Sequence, residues 1–101
     1  MGPQAAVLNS PAGRITCRFH ARDLHLVMGP SSRHRQVRFR IWIDGQPPGP
    51  ARGHDIDAVG SGTIVEQRLY QLIRQPMPIA ARRFELEFLD AGVEVFAFTF
   101  G

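Results

Sequence analysis

The chain has 101 residues, nine acidic and twelve basic side chains, and a formal charge of +3, with arginine supplying every one of its basic groups. That length holds one domain, burying roughly 65% of its unfolded surface, and 44% hydrophobic with 21% charged residues excludes an intrinsically disordered chain. No apolar run approaches the ~18 residues of a membrane span and no basic region with an apolar core opens the chain, so membrane insertion and a signal peptide are not expected, and export would be directed from outside these residues.

Residues 1 to 13 contain two prolines, two glycines and no sustained pattern. They read as an N-terminal tail or linker, with a strand remnant in the Ala5 to Leu8 run as the alternative, and residues 14 to 101 as a single domain. Strands are expected at about 14 to 20 and 23 to 28, with a bend or bulge at Ala21-Arg22 because too little turn chemistry separates them for a tight hairpin. Met28-Gly29-Pro30-Ser31-Ser32 closes the second strand. The clearest alternation in the chain spans about 36 to 44, with Val37, Phe39, Ile41 and Ile43 on one face and Arg38, Arg40, Trp42 and Asp44 on the other. Asp44-Gly45 starts a turn, and Gln46-Pro47-Pro48-Gly49-Pro50 prevents an immediate return to a ladder. Residues 46 to 63 read as one long loop rich in Gly and Pro, and loops of that length in a compact domain are usually functional or mobile.

The pattern over residues 64 to 74 is helical, since Val65, Leu69, Leu72 and Ile73 fit a 3.6-residue stripe and Glu66, Gln67, Arg68 and Gln71 are good helix formers. The last twenty residues are two strands about an Asp90-Ala91-Gly92 turn. In the first, Phe84, Leu86 and Phe88 oppose Arg83, Glu85 and Glu87, as a half-buried antiparallel strand requires. In the second, Phe96, Phe98 and Phe100 share a face opposite Val93, Val95, Ala97 and Thr99. A strand apolar on both sides belongs in the middle of a sheet.

Three of these blocks carry a resemblance. The ending, Arg68-Leu69-Tyr70-Gln71-Leu72-Ile73-Arg74, and Phe19-His20-Ala21-Arg22-Asp23-Leu24-His25-Leu26-Val27, together with the Ile43-Asp44-Gly45 turn, resemble the C-terminal domain of DipZ-type proteins. These are bacterial fusions of a cytochrome c biogenesis or secreted segment, a thioredoxin-like domain and a small carbohydrate-binding-module-like sandwich. The resemblance runs from about residue 14 to Gly101. It implies a strand through 68 to 72, a turn at Gln75-Pro76-Met77-Pro78, and an extracytoplasmic accessory domain without catalytic residues. Short strands between Gly/Pro loops, with no repeated βα pattern, independently indicate an all-β, antiparallel sandwich of jelly-roll type. The strand is therefore adopted over residues 68 to 72.

Few constellations carry chemistry. Cys17 is the only cysteine, so neither an internal disulfide nor a Cys-x-x-Cys redox centre can form, and alternation with Ile15 and Phe19 makes it a buried, inert thiol. Asp55 and Asp57, within Gly53-His54-Asp55-Ile56-Asp57, offer hard oxygens to Ca²⁺, but their spacing fails the EF-hand pattern and turn capping explains them better. His20 and His25 fall on separate expected strands that can bring them face to face, with no further ligand nearby to complete a zinc site. The serines lack a nucleophile elbow, and Glu85 and Glu87 read as solvent-facing charges rather than a carboxylate pair. Arg33, His34, Arg35, Arg38 and Arg40 form a basic stretch, read as a solvated strand face and loop because no nucleic-acid motif accompanies it.

Trp42 stands apart, since alternation sets it beside Arg38 and Arg40 away from the core face. An indole flanked by hydrogen-bond donors can stack on a sugar ring. The same face can instead dock another domain or hold arginines stacked on the ring, and plain packing is the third reading. The resulting expectation is a monomeric, cofactor-free domain that binds glycan or cell-envelope polysaccharide, or packs as a scaffold on its own thioredoxin-like domain. Nucleic acid is not an expected partner.

Overall fold

The computed structural model describes the backbone of residues 6–8 and residues 13–31 and 36–101 in full. Its strands are β1 (Ala6–Leu8), β2 (Arg14–Phe19), β3 (Asp23–Pro30), β4 (Val37–Ile43), β5 (Ser61–Ile64), β6 (Arg68–Arg74), β7 (Arg82–Phe88) and β8 (Val93–Phe100), with a single 3₁₀ turn at Gly49–Ala51. They form two four-stranded sheets, in the orders β1-β8-β3-β6 and β2-β7-β4-β5. Every pairing is antiparallel. The result is an antiparallel β-sandwich of the jelly-roll, carbohydrate-binding-module-like kind. No helix among the described residues is long and apolar enough to cross a membrane.

The core is the layer between the sheets, where alternating residues of each strand meet. β3 and β6 contribute Leu24, Leu26, Met28, Tyr70 and Leu72; β4, β5 and β7 contribute Val37, Phe39, Ile41, Ile43, Ile64, Phe84, Leu86 and Phe88. Edge-to-face pairs cross between the layers, Phe39 to Tyr70 at 6.5 Å and Phe84 to Phe98 at 6.2 Å. Each such pair adds about 0.5–1.5 kcal/mol to its area burial.

Ladder pairing overrides helical pattern at residues 64 to 74. β6 lies against β3 from Asp23↔Arg74 to Met28↔Arg68, with a register shift between Leu24 and His25 that takes up the extra residue and spoils a simple period of two. The buried Tyr70 hydroxyl fixes the preceding turn: it donates to the Glu66 carbonyl at 2.7 Å and accepts from the Val65 and Glu66 amides at 3.2 and 3.4 Å. After β6, Gln75 is also buried. Its side-chain amide donates to the Ala21 and Ala80 carbonyls, stapling the turn that contains the cis Met77–Pro78 bond to the β2–β3 corner.

Three local expectations need correction. The loop ends sooner than residue 63, because Ser61–Ile64 pairs with β4 through Val37↔Ile64 and Arg40↔Ser61; Ser and Gly disguise an edge strand. β8 is central, lying between β1 and β3, yet its three phenylalanines do not share a face. The register shifts from Val27↔Ala97 to Met28↔Val95, and this bulge puts Val93, Val95 and Phe98 against the core while Phe96 stays half-buried outside that cluster. Finally, Ala6–Leu8 pairs with Leu8↔Val93 and Ala6↔Val95, so the run read as a strand remnant is β1. The Asp44-Gly45 turn is as expected. Both residues have positive φ, 52° and 78°, and Ile43 and Gln46 exchange backbone hydrogen bonds at 2.8 and 2.9 Å, the two-residue hairpin whose twist suits its strands.

Candidate functional site

The outer face of β2-β7-β4-β5 gathers the polar residues of all four strands. Because Phe84, Leu86, Phe88, Phe39, Ile41 and Ile43 point into the core, their alternates point out. Registers then align them in rows across the sheet: Thr16, Glu85 and Trp42 in one row, and Arg14, Glu87, Arg40 and Ser61 in the next. Trp42 is half-buried, neither sealed in the core nor bare. The Arg40 and Arg14 guanidinium carbons stand 5.4 and 5.9 Å from the centre of its ring, at the outer edge of cation–π range.

The charges on this face are unequally satisfied. Arg14 bridges Glu85 and Glu87 at 3.4 and 3.2 Å, and Arg83 reaches Glu85 at 3.2 Å. Arg38 is gripped by Asp90, which accepts from its Nε, its Nη2 and its backbone amide at 2.8–2.9 Å; that pairing raises the guanidinium pKa above its ordinary value. Arg40 makes one long contact to the Val59 carbonyl at 3.4 Å and no ion pair among the described residues. Of the expected trio, then, Trp42 and Arg40 come together as a donor beside an indole, Arg38 is held at the start of β4 by Asp90, and Arg14 takes its place. Arg14 could not be found from sequence, because it reaches Trp42 only through two long-range strand pairings, β2 to β7 and β7 to β4.

The two loop aspartates hold backbone rather than converging on a point. Asp57 accepts from the Val59 and Ser61 amides at 3.1 and 2.9 Å, capping the turn into β5. Asp55, its side chain 11% exposed, accepts from Arg68 Nη2 at 2.8 Å and the Gln71 amide at 2.7 Å. Burial alone would raise the Asp55 pKa; Arg68 and the Gln71 amide outweigh it and hold the carboxyl below its ordinary range. No group of three or more His, Cys, Asp or Glu is arranged to hold a metal among the described residues. His20 follows β2 rather than lying in a strand, while His25 sits on the other sheet. Arg33, His34 and Arg35 lie outside the described residues. Cys17 is half-buried, packed against the core edge, and desolvation raises its thiol pKa.

The family model described as "Thioredoxin like C-terminal domain" matches residues 1–101. No curated protein sequence matches the chain. Among solved structures, similar folds occur in a family two carbohydrate esterase from Clostridium thermocellum in complex with cellohexaose (TM-score 0.69, 13% identity, 93% of this chain and 26% of that one). An active-site mutant of a family two carbohydrate esterase from the same organism gives TM-score 0.67 at 12% identity, over 98% and 31% of the two chains. The Cellvibrio japonicus family two carbohydrate esterase gives 0.65 at 12%, over 96% and 28%. This chain thus spans about a quarter to a third of those proteins, and at such identities the likeness is one of fold.

Proposed function

Because the chain belongs to the thioredoxin-like C-terminal domain family, we propose that it is a non-catalytic accessory domain that binds glycan or cell-envelope polysaccharide on behalf of an attached thioredoxin-like domain. The observation that carries the reading is the half-buried Trp42 indole in mid-sheet, beside an Arg40 guanidinium that makes no ion pair among the described residues. A sugar ring presents C–H bonds to an aromatic face and hydroxyls to its surroundings. Trp42 would take the first, Arg40 and Ser61 the second. Stacking requires an arginine to swing off the ring, at a cost of about 0.5–1 kcal/mol for an exposed cation–π contact. Covering half of a ~200 Å² indole contributes about 2.5 kcal/mol, so stacking wins.

Thiol chemistry belongs to the attached domain in this reading, since a lone thiol with a raised pKa is a poor nucleophile. The protein would work outside the cytoplasm, in the bacterial periplasm or cell envelope, within fusions of the cytochrome c biogenesis type. Affinity electrophoresis through cell-envelope polysaccharide tests it. Trp42→Ala should abolish retardation while the melting temperature moves little; equal retardation of both proteins overturns the glycan reading.

A second reading, a scaffold that packs on the thioredoxin-like domain, is favoured by the outer face of the other sheet. There Val27 lies in register with Ala97 and with the exposed Leu69, and the half-buried Phe96 stands outside the core cluster. Leu69→Glu should loosen docking to that domain and spare polysaccharide retardation.

A further inference from the structure

A concavity lies away from Trp42, at the β6 edge of the β1-β8-β3-β6 sheet. It is an open cavity of about 640 Å³ lined by Pro50, Arg52, Gly53, His54, Ile56, Gln71 and Arg74, within the range of about 300–1,000 Å³ usual for small-molecule sites. Its floor is built rather than draped. The loop lies along β6 as an added short strand: Arg52 bridges Ile73, the Gly53 amide donates to the Leu72 carbonyl at 2.9 Å, and the Asp55 amide donates to the Gln71 carbonyl at 3.1 Å. The Gln71 amide in turn donates to the Asp55 carboxylate at 2.7 Å. Only glycine permits that approach at 53, where a Cβ would stand 2.3 Å from the Gln71 carbonyl oxygen.

The lining carries positive charge with no acid among it. Arg52 makes no ion pair among the described residues; its guanidinium donates to the Gly49 carbonyl at 3.2 Å. Arg74 has a distant partner, Asp23 at 3.9 Å, which Arg22 already engages at 2.9 and 3.0 Å. Asp55 flanks the cavity but is committed to Arg68 and Gln71. Two guanidiniums, an imidazole and a side-chain amide therefore stand in the lining of one cavity, with no carboxylate among its walls.

We propose that this cavity is an oxyanion site that takes the carboxylate of an acidic saccharide, with Arg52 and Arg74 as its charged clamp and Gln71 and His54 as further N–H donors. The cavity's size favours a sugar-bearing anion over a bare ion, and planar guanidinium matches carboxylate geometry. The proposal does not rest on the Trp42 reading.

Titration calorimetry in low salt tests it with three probes: trigalacturonate, a neutral trisaccharide and inorganic phosphate. Trigalacturonate should bind, the neutral sugar should bind far more weakly, and Arg52→Gln or Arg74→Gln should weaken the acid by roughly tenfold or more. In a Trp42→Ala background Arg52→Gln and Arg74→Gln should still remove the charge-dependent part of the binding, which separates this site from the Trp42 face. Both arginines are exposed, so the variants keep the fold, checked by their melting curves. Phosphate binding lost in the same variants, without trigalacturonate binding, keeps the oxyanion site and assigns free phosphate as its source. Binding of neither anion, or anion binding indifferent to both substitutions, overturns the proposal.

Discussion

Replacing Asp55 by Asn keeps the side chain's size and removes its charge, and it probes the joint on which both the loop and the basic cavity depend. Asp55 accepts two short bonds, 2.8 Å from Arg68 and 2.7 Å from the Gln71 amide. Arg68 in turn lies 4.0 Å over the Tyr70 ring, whose hydroxyl pins the β5–β6 turn. A hydrogen bond to a charged group contributes about 1.5–3 kcal/mol; the amide can keep one of the two and loses the charge assistance on both. Asp55→Asn should therefore cost about 1.5–3 kcal/mol at pH 7, a fall of about 6–24 °C in melting temperature for a domain this small. The pH dependence carries the sharper signature. The Asp55 pKa is lowered in the fold, so its stabilisation is fully present above the ordinary carboxylate value of about 3.9 and is lost as pH falls through the lower folded value. Urea unfolding of both proteins at pH 7, 5 and 3 should give a gap that is constant between pH 7 and 5 and narrows at pH 3. A gap below about 0.5 kcal/mol at pH 7, or one that does not shrink in acid, would refute the assignment of Asp55 as an ionised clamp.

Phe84→Ala removes a fully buried ring and should cost about 3–5 kcal/mol in chemical denaturation. Phe98, packed against the core but only half-buried, should cost clearly less on the same substitution, and equal losses would argue that it is sealed as fully as Phe84. Gly53→Ala should cost at least about 2–3 kcal/mol, because the 2.3 Å clash is with backbone oxygen that cannot rotate away; hydrogen exchange should show the Gly53 and Asp55 amides opening first. Cys17 should react with iodoacetamide at pH 7 more slowly than a free cysteine, since burial raises its thiol pKa, and the domain should not accelerate insulin reduction by dithiothreitol.

What the sequence disclosed was whatever a single strand can disclose about itself. Val37 to Ile43 alternates cleanly, and its buried and outward sets are as the residues alone imply; the Asp44-Gly45 turn is readable because few residues tolerate positive φ. Bulges were illegible. The shifts beside Val27 and Leu24 are set by how neighbouring strands align, and they separate Phe96 from Phe98 and give 64 to 74 a helical look. Ser61–Ile64 was hidden because it opens on Ser and Gly, which read as loop, and only Thr63 and Ile64 favour a strand; pairing with β4 makes it one. The site divides in the same manner. Trp42 and Arg40 share one strand and could be paired on paper, whereas Arg14 beside the indole and Asp90 holding Arg38 come from distant segments. The Arg52–Arg74 cavity is likewise a product of a loop folding along β6.

In the proposed function, the outer β2-β7-β4-β5 face around Trp42 receives the ligand. Two-dimensional ¹H–¹⁵N spectra recorded during titration with soluble cell-envelope oligosaccharides address it most directly, since indole and arginine side-chain N–H signals are resolved there. Saturable shifts are expected at the Trp42 indole N–H and the Arg14 and Arg40 Nε–H, with neighbours on β4 and β7 following. Shifts confined to the Val27, Leu69 and Phe96 face, or none at saturating oligosaccharide while Trp42 remains half-exposed, would contradict it.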